Sequence, residues 1–336
     1  MNQQNSGAAP AASSPLPAPY KNRSAGLLVF GILTILLGCV AGLFVLLSVG
    51  QAAMAGSTNG TASFPALLSV MSIYGLAAVV LVWLGIGSIM ARRWARALLL
   101  VFSWIWLITG VLVSLFMVFF MPRMLANMSA GGTAGQPALN PAIMGGVMIG
   151  MFLIVGVFFV IVPGVWTFFY NSRHVKATCE ARDPVTRWTD ACPLPVLGLC
   201  VLLIVSVPSL LVMPIAGHGV MPFFGMFLTG IPGSAFCLAF AAVWIYAAWS
   251  LYKLEPRGWW LVFIAMCVCM ASGLLTFARH DMMEMYRLMD YPQAQLEQIQ
   301  KFGFLLGNRM AWLILLSMLP FLGYLLFIRK FLLRSS

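Results

Sequence analysis

The stretch NSRHVKATCEARDPVTRWTDACPLP, residues 171–195, separates two strongly apolar halves of a 336-residue chain. Of the whole chain, 62% is hydrophobic and only 8% is charged. An ordinary soluble domain carries about a quarter charged residues. A soluble fold could not bury so much apolar surface, so the composition predicts a protein of the lipid bilayer.

Apolar runs long enough to cross about 30 Å of hydrocarbon as helices recur in both halves. Carboxylates, lysines and arginines all fall between these runs rather than inside them. We therefore predict an all-α polytopic membrane protein with about eight transmembrane helices. The predicted spans are 24–49, 64–90, 97–120, 143–170, 194–214, 222–252, 259–277 and 310–328.

The two halves resemble each other in sequence, which indicates an internal repeat. RALLLVF at 96–102 matches RGWWLVF at 257–263, and Pro163 matches Pro320 in the fourth helix of each half. Because each half holds four spans, both enter the membrane from the same side, so two parallel four-helix repeats are predicted. The predicted organisation is a disordered tail 1–23, a first repeat 24–176, a linker 177–193, a second repeat 194–331 and a C-terminal end 332–336.

Basic residues mark one end of the predicted bundle. Most of the 19 Lys and Arg residues lie in the termini, in the linker and in the loops 91–96 and 253–257. Lys and Arg in short loops resist translocation, so we predict a plasma (inner) membrane protein with both termini in the cytoplasm. We expect the basic inner face to contact anionic lipid headgroups, and we do not expect nucleic acid as a partner.

Two segments resemble those of a group of uncharacterised bacterial multi-pass membrane proteins. They are LVWLGIGSIMARRWARALLL at 81–100 and the linker text HVKATCEARDPVTRWTDACPLPVL at 174–197. The resemblance covers most of the chain after the tail. It implies a membrane protein of that kind, and it brings no known activity, cofactor or catalytic residue.

The linker offers three side chains of the types that bind zinc. His174, Cys179 and Cys192 would be the ligands, with Asp190 or Glu180 as a fourth. Structural zinc sites usually begin with two ligands two to four residues apart, and this spacing lacks such a pair. The favoured alternative is a solvated loop with reduced thiols.

A second candidate metal site lies on the predicted outer face. Met282, Met285 and Met289 follow a three-then-four spacing beside His280, and thioethers select Cu(I). Methionine also fills gaps at packed interfaces, which is the favoured interpretation. The same spacing predicts two short amphipathic helices within 278–305.

Prolines and glycines predict helix breaks where a small ligand could bind. Pro163 and Pro320 each remove one backbone donor from a fourth helix. In the second half alone, further Pro, Gly and Ser residues would unwind two neighbouring helices and expose polar backbone without charge. These candidate ligand-binding residues are Ser206, Pro208, Ser209, Gly230, Pro232, Gly233 and Ser234.

Binding and transport both fit this sequence better than catalysis. His-Glu-x-x-His and Walker-type motifs do not occur in the chain, so we expect neither an enzyme nor a cofactor. The favoured function is non-catalytic binding of lipids, of a protein partner or of a second copy of the chain. The alternatives are a carrier for a neutral or lipidic small molecule and extracytoplasmic copper binding.

Overall fold

The computed structural model describes residues 21–57, 67–69, 71–130, 141–291, 293–301 and 309–332. These residues are almost entirely helical. The helices are α1 Ser24–Ser57, α2 Leu76–Ile89, α3 Arg93–Ala130, α4 Pro141–Gly156, α5 Val162–Asn171, α6 Arg173–Arg182, α7 Leu194–Ala216, α8 Gly230–Tyr252, α9 Pro256–Arg279, α10 Met282–Leu288, α11 Gln293–Lys301 and α12 Arg309–Leu332. The π-helical turns Met71–Gly75 and Val157–Ile161 precede α2 and α5, and a 3₁₀ turn covers Trp188–Asp190.

Within the described residues, eight helical segments are long and apolar enough to cross a membrane. They are Ser24–Met54, Leu67–Ile89, Arg93–Phe119, Gly145–Asn171, Leu194–Ala216, Gly230–Tyr252, Pro256–Arg279 and Leu315–Leu332. The predicted all-α fold with eight spans is therefore confirmed. The third segment starts at Arg93, so Arg93 and Arg96 lie in its first turn rather than before it.

The predicted sixth span, 222–252, is wrong at its start. Residues Met221–Phe223 (β1) and Met226–Leu228 (β2) form an antiparallel hairpin, and α8 begins only at Gly230. Phe224 and Gly225 make the two-residue turn with φ of 40° and 92°. Two successive positive φ values are what a tight hairpin turn requires. We call this end of the bundle the hairpin end, and the opposite end, which carries residues 171–193, the linker end.

Neighbouring helices pack in the same order in both halves. The first helix packs on the second, the second on the third and the third on the fourth, as α1, α2, α3 and α5 and again as α7, α8, α9 and α12. The turn after the second helix is also the same. Ala91 and Leu254 have φ of 53° and 61°, and each donates its N–H to the carbonyl three residues earlier. These two residues are 163 positions apart, whereas RALLLVF and RGWWLVF are 161 positions apart. The duplication itself stays a prediction.

Close packing of α1 on α2 depends on glycines. A Cβ built on Gly31 would lie 2.9 Å from the Gly85 carbonyl oxygen, and one built on Gly85 would lie 2.7 Å from the Gly31 oxygen. Gly38 meets the Ala78 carbonyl oxygen in the same way, at 3.0 Å. Small residues allow membrane helices to approach this closely, so their backbones pack directly against each other.

Pro163 acts through the π-helical turn that precedes it. Proline has no N–H to donate to the carbonyl four residues earlier, that of Phe159. The Phe159 carbonyl instead points at α3, where a Cβ on Gly110 would collide with its oxygen. The predicted break at Pro163 is therefore a π-helical turn between α4 and α5. Pro320 differs from it, since α12 continues through Pro320 without interruption.

Two clusters of buried side chains form the core. The first joins α1, α2, α3, α5 and α6 around the fully buried Tyr170, whose hydroxyl lies 2.8 Å from Ser88 Oγ. The second joins α7, α8, α9 and α12, and it also includes Ala97 of α3. Leu194, at the start of α7, packs against both clusters. The halves therefore meet where α3 contacts α7.

Candidate functional site

Residues 171–193 form a folded cap on the linker end, and the predicted solvated loop is wrong. Helix α6 buries Val175, Thr178 and Cys179 against the first cluster. The backbone N–H of Arg23 donates to Thr178 Oγ1 at 3.1 Å. The end of the predicted tail is therefore attached to α6, and the predicted linker boundary at 177 falls inside this helix. Residues 1–20 and 333–336 lie outside the described residues.

Charged side chains attach this cap to α3. Arg93 on α3 lies between two carboxylates, with Nη2 3.4 Å from Glu180 Oε1 and Nε 3.3 Å from Asp190 Oδ2. Asp190 Oδ2 also accepts the Arg187 N–H at 2.9 Å. On the other side, the Tyr252 hydroxyl of α8 donates to the Trp188 carbonyl oxygen at 2.9 Å. The cap therefore contacts both halves of the bundle.

Asp183 is the buried member of this network, with only 2% of the residue exposed. Its Oδ1 and Oδ2 accept from Arg187 Nη2 and Nε at 2.9 and 3.2 Å, and Arg92 lies 3.8 Å away. The hydrogen bonds from Arg187 favour the ionised carboxyl and hold the pKa of Asp183 below its ordinary value, although burial opposes them. Asp183 is therefore ionised, and its contacts with the two arginines hold the end of α6 in place.

The predicted zinc ligands do not come together. Cys179 belongs to the first cluster, whereas Cys192 belongs to the second. Burial raises the pKa of each of these thiols to about 11, and a protonated thiol is a poor ligand for zinc. His174 Nδ1 lies 3.4 Å from the Lys21 backbone nitrogen. Among the described residues there is no group of three or more His, Cys, Asp or Glu side chains that could hold a metal ion.

At the hairpin end, a row of polar side chains on α9 supports the hairpin. Ser272 Oγ accepts the Phe224 N–H and donates to the Pro222 carbonyl, both at 3.0 Å. One turn later, Thr276 Oγ1 accepts the Gly225 N–H at 3.0 Å. These contacts satisfy backbone groups that the two-stranded hairpin leaves unpaired. The hairpin is therefore fixed to α9.

His280 continues this row and contacts two acceptors. Its Nε2 lies 3.0 Å from the Gly225 carbonyl oxygen, and its Nδ1 lies 2.8 Å from Glu284 Oε2. Both ring nitrogens therefore already have protein partners, which disfavours His280 as a copper ligand. Met282, Met285 and Met289 are all partly buried along α10 and the turn after it, which fits interfacial packing. The sequence predicts two short helices within 278–305, and the structure confirms them as α10 and α11.

An open cleft of about 750 Å³ lies beside the hairpin, between the ends of α7, α8 and α10. Its apolar side is formed by α7 and α8, and its polar side by the turn before α8 and the end of α10. It is lined by Pro214, His218, Thr229, Gly230, Ile231, Ser234, Ala235, Leu238, Arg287, Leu288 and Asp290. Apolar helix sides therefore meet charged groups at one end of the bundle.

The predicted ligand-binding residues divide between this cleft and the body of α7. Gly230 and Ser234 line the cleft, and Pro232 and Gly233 lie between them in the first turn of α8. Ser206, Pro208 and Ser209 do not line it. Helix α7 continues through Pro208, so the predicted unwinding there is wrong.

The geometry adds residues that the sequence did not indicate. His218 comes from the turn after α7, whereas Arg287 lies at the end of α10 and Asp290 just after it, about seventy positions later in the chain. Isolated charges in loops carry no recognisable spacing, so only the packing of α10 against the bundle brings them together. The cleft is therefore a product of tertiary structure.

Comparison with protein-family models, with curated proteins and with solved structures finds no match to this chain. The chain is a multi-pass membrane protein. Its eight apolar helices determine this, and the resemblance to bacterial membrane proteins stays a prediction.

Proposed function

We propose that this protein binds an amphiphilic lipid in the cleft at the hairpin end and performs no catalysis there. The observation that carries the proposal is that the cleft has an apolar side and, at its opening, one positive and one negative side chain. Arg287 and Asp290 both line the cleft, and within the described part of the chain neither forms an ion pair. A headgroup with a phosphate and an ammonium would complement both, so the class of ligand is a zwitterionic phospholipid.

The apolar side of the cleft suits acyl chains. Ile231 is 85% exposed at the start of α8, and Leu238 lies two turns further along the same helix. Since α8 spans the membrane, a chain lying along these residues would remain in hydrocarbon while the headgroup stays near Arg287. Small-molecule sites commonly combine such an apolar lining with few polar groups.

We propose in addition that the two halves are tandem repeats and that the linker end is cytoplasmic. The shared packing order and the matching turns at Ala91 and Leu254 support duplication. The orientation rests on the concentration of Lys and Arg at the linker end. The lipid cleft would then open in the outer leaflet of the plasma (inner) membrane.

Native mass spectrometry with added phosphatidylethanolamine tests the cleft. We expect Arg287→Ala to weaken lipid retention about tenfold, since a charge-assisted hydrogen bond contributes about 1.5 kcal/mol or more. Asp290→Ala removes the complementary charge and should have a similar effect. Ala235→Trp should block the apolar side, because Ala235 is exposed in the cleft and can be enlarged without disturbing the core.

Arg173→Ala is the matched control, because Arg173 is exposed at the linker end. It should retain lipid as the unmodified protein does. Equal retention by all four variants would contradict the cleft. Lipid exchange between leaflets that depends on Arg287 would instead indicate the carrier alternative.

A further inference from the structure

Acidic and basic residues are distributed unevenly at the linker end. In the cap, Glu180, Asp183 and Asp190 pair with Arg92, Arg93, Lys176 and Arg187. The second half presents another set of cations at this end, and among the described residues none of them forms an ion pair. They are Lys253, Arg257, Arg329 and Lys330. Glu255 is the one carboxylate in this part of the second half that the structure describes, and it accepts from Ser250 Oγ at 3.0 Å.

Aromatic rings contact three of these cations, with Lys253 over Trp249 at 4.8 Å and Lys330 over Phe327 at 3.8 Å. The third is an arginine, which lies over two indole rings. The Arg329 guanidinium carbon lies 5.3 Å from the centre of the Trp259 ring and 5.9 Å from that of Trp260. Trp259 is buried and donates its indole N–H to the Leu325 carbonyl oxygen at 2.7 Å, which joins the first turn of α9 to α12. A guanidinium over aromatic faces keeps its N–H groups free to bind an anion in the plane of the fork.

Arg257 lies in the same turn of α9 as these rings. Residues three positions apart are neighbours on a helix surface, so Arg257 and Trp260 share one side of α9. Trp260 is 49% exposed and lies under Arg329. Both arginines are therefore neighbours of Trp260, one along α9 and the other from α12, which places two guanidinium groups within reach of one anion.

We propose that Arg257 and Arg329, beside Trp260, bind the phosphate of an anionic phospholipid headgroup. Arginine binds phosphate with two parallel N–H bonds, which a diffuse basic surface does not provide. The first turn of α9, whose N-cap Glu255 makes no side-chain capping hydrogen bond, adds the positive end of the helix dipole. This site is at the opposite end of the bundle from the cleft and does not depend on it.

A lipid fits the position better than free phosphate does. Trp260 stands at the end of a membrane-spanning helix, half exposed, where tryptophan rings favour the interface between hydrocarbon and headgroups. A phosphate held there remains attached to acyl chains that cover the apolar surface of α9 and α12.

Retention of phosphatidylglycerol in native mass spectra, or in nanodiscs of mixed lipids, tests the site. The double variant Arg257→Ala with Arg329→Ala removes both arginines. Its matched control, Lys253→Ala with Lys330→Ala, removes the same charge from the same end of the second half. A basic residue near an anionic membrane attracts anionic lipid, so both double variants should weaken retention to some degree. We expect the arginine pair to lose about tenfold more than the lysine pair, since bidentate contacts are lost as well.

Equal losses in the two pairs would overturn the proposal in favour of a diffuse basic surface. If inorganic phosphate at equal concentration displaced phosphatidylglycerol, the lipid would be contradicted as the ligand, and the site would be one for free phosphate. Arg329→Lys keeps the charge and removes one guanidinium fork, so it should weaken retention although the number of cations is unchanged, which separates bidentate binding from a charge effect alone. Retention of phosphatidylethanolamine by the double arginine variant reports the cleft separately, so that failure of one site is distinguishable from failure of the other.

Discussion

Gly110→Ala is expected to destabilise the protein in detergent by about 3 kcal/mol, at the upper end of the range for overpacking. A Cβ at this position would collide with the Phe159 carbonyl oxygen, which belongs to backbone and cannot rotate away as a flexible side chain could. The helix pair α3 and α5 would have to separate. Unfolding by sodium dodecyl sulfate in mixed micelles measures this change.

Gly164→Ala is the control for this prediction, since a Cβ on Gly164 meets no atom within 4 Å. Alanine is the better helix former, so this variant should be at least as stable as the unmodified protein. Equal stability of the two variants would contradict the close approach of α3 to the turn before Pro163.

Asp183→Asn is expected to release the cap from the linker end. The substitution removes the negative charge and replaces one of the two oxygens that accept from Arg187 with an amide NH2 donor, at a position that solvent barely reaches, at a cost of about 1–3 kcal/mol. Local opening of residues 183–190 should then become about tenfold or more frequent. The rate of trypsin cleavage at Arg187 reports this opening, and it should rise by the same factor.

The pH dependence of cap release follows from the direction in which folding shifts the pKa of Asp183. The pKa of Asp183 is lower in the folded protein than its ordinary value of 3.8. Its contribution to stability is therefore complete above that ordinary value and is lost as the pH falls through the folded value. Glu180→Gln is the matched control, because Glu180 is far more exposed and should change cleavage little. An equal effect of both substitutions would contradict the buried role of Asp183.

Sequence predicts the spans well because hydrocarbon imposes one simple requirement. Each apolar run must satisfy its own backbone, which leaves the helix as the structure for an isolated span. The same reasoning fails at 221–228, where MPFFGMFL is apolar and directly precedes a true span. Its signals are local ones, Pro222 and the glycine of the turn, and the partners that fix the hairpin lie fifty residues later on α9.

Composition does not predict the burial of the linker or which residues line the cleft. Val175 and Cys179 stand four residues apart and face the core, yet the charges around them suggest a solvated loop. The sequence does single out Gly230 and Ser234, which line the cleft, because they interrupt an apolar run. Arg287 and Asp290 could not, because their place in the cleft depends on how α10 folds back.

Reporter fusions after residues 186, 290 and 336 test the eight-span arrangement most directly. They follow the fourth, seventh and eighth spans, so the first and third should report one side of the membrane and the second the other. With the linker end in the cytoplasm, green fluorescent protein should be fluorescent at 186 and 336, and alkaline phosphatase should be active only at 290. A fusion at 336 that reports the same side as 290 would contradict the even number of spans and with it the tandem arrangement.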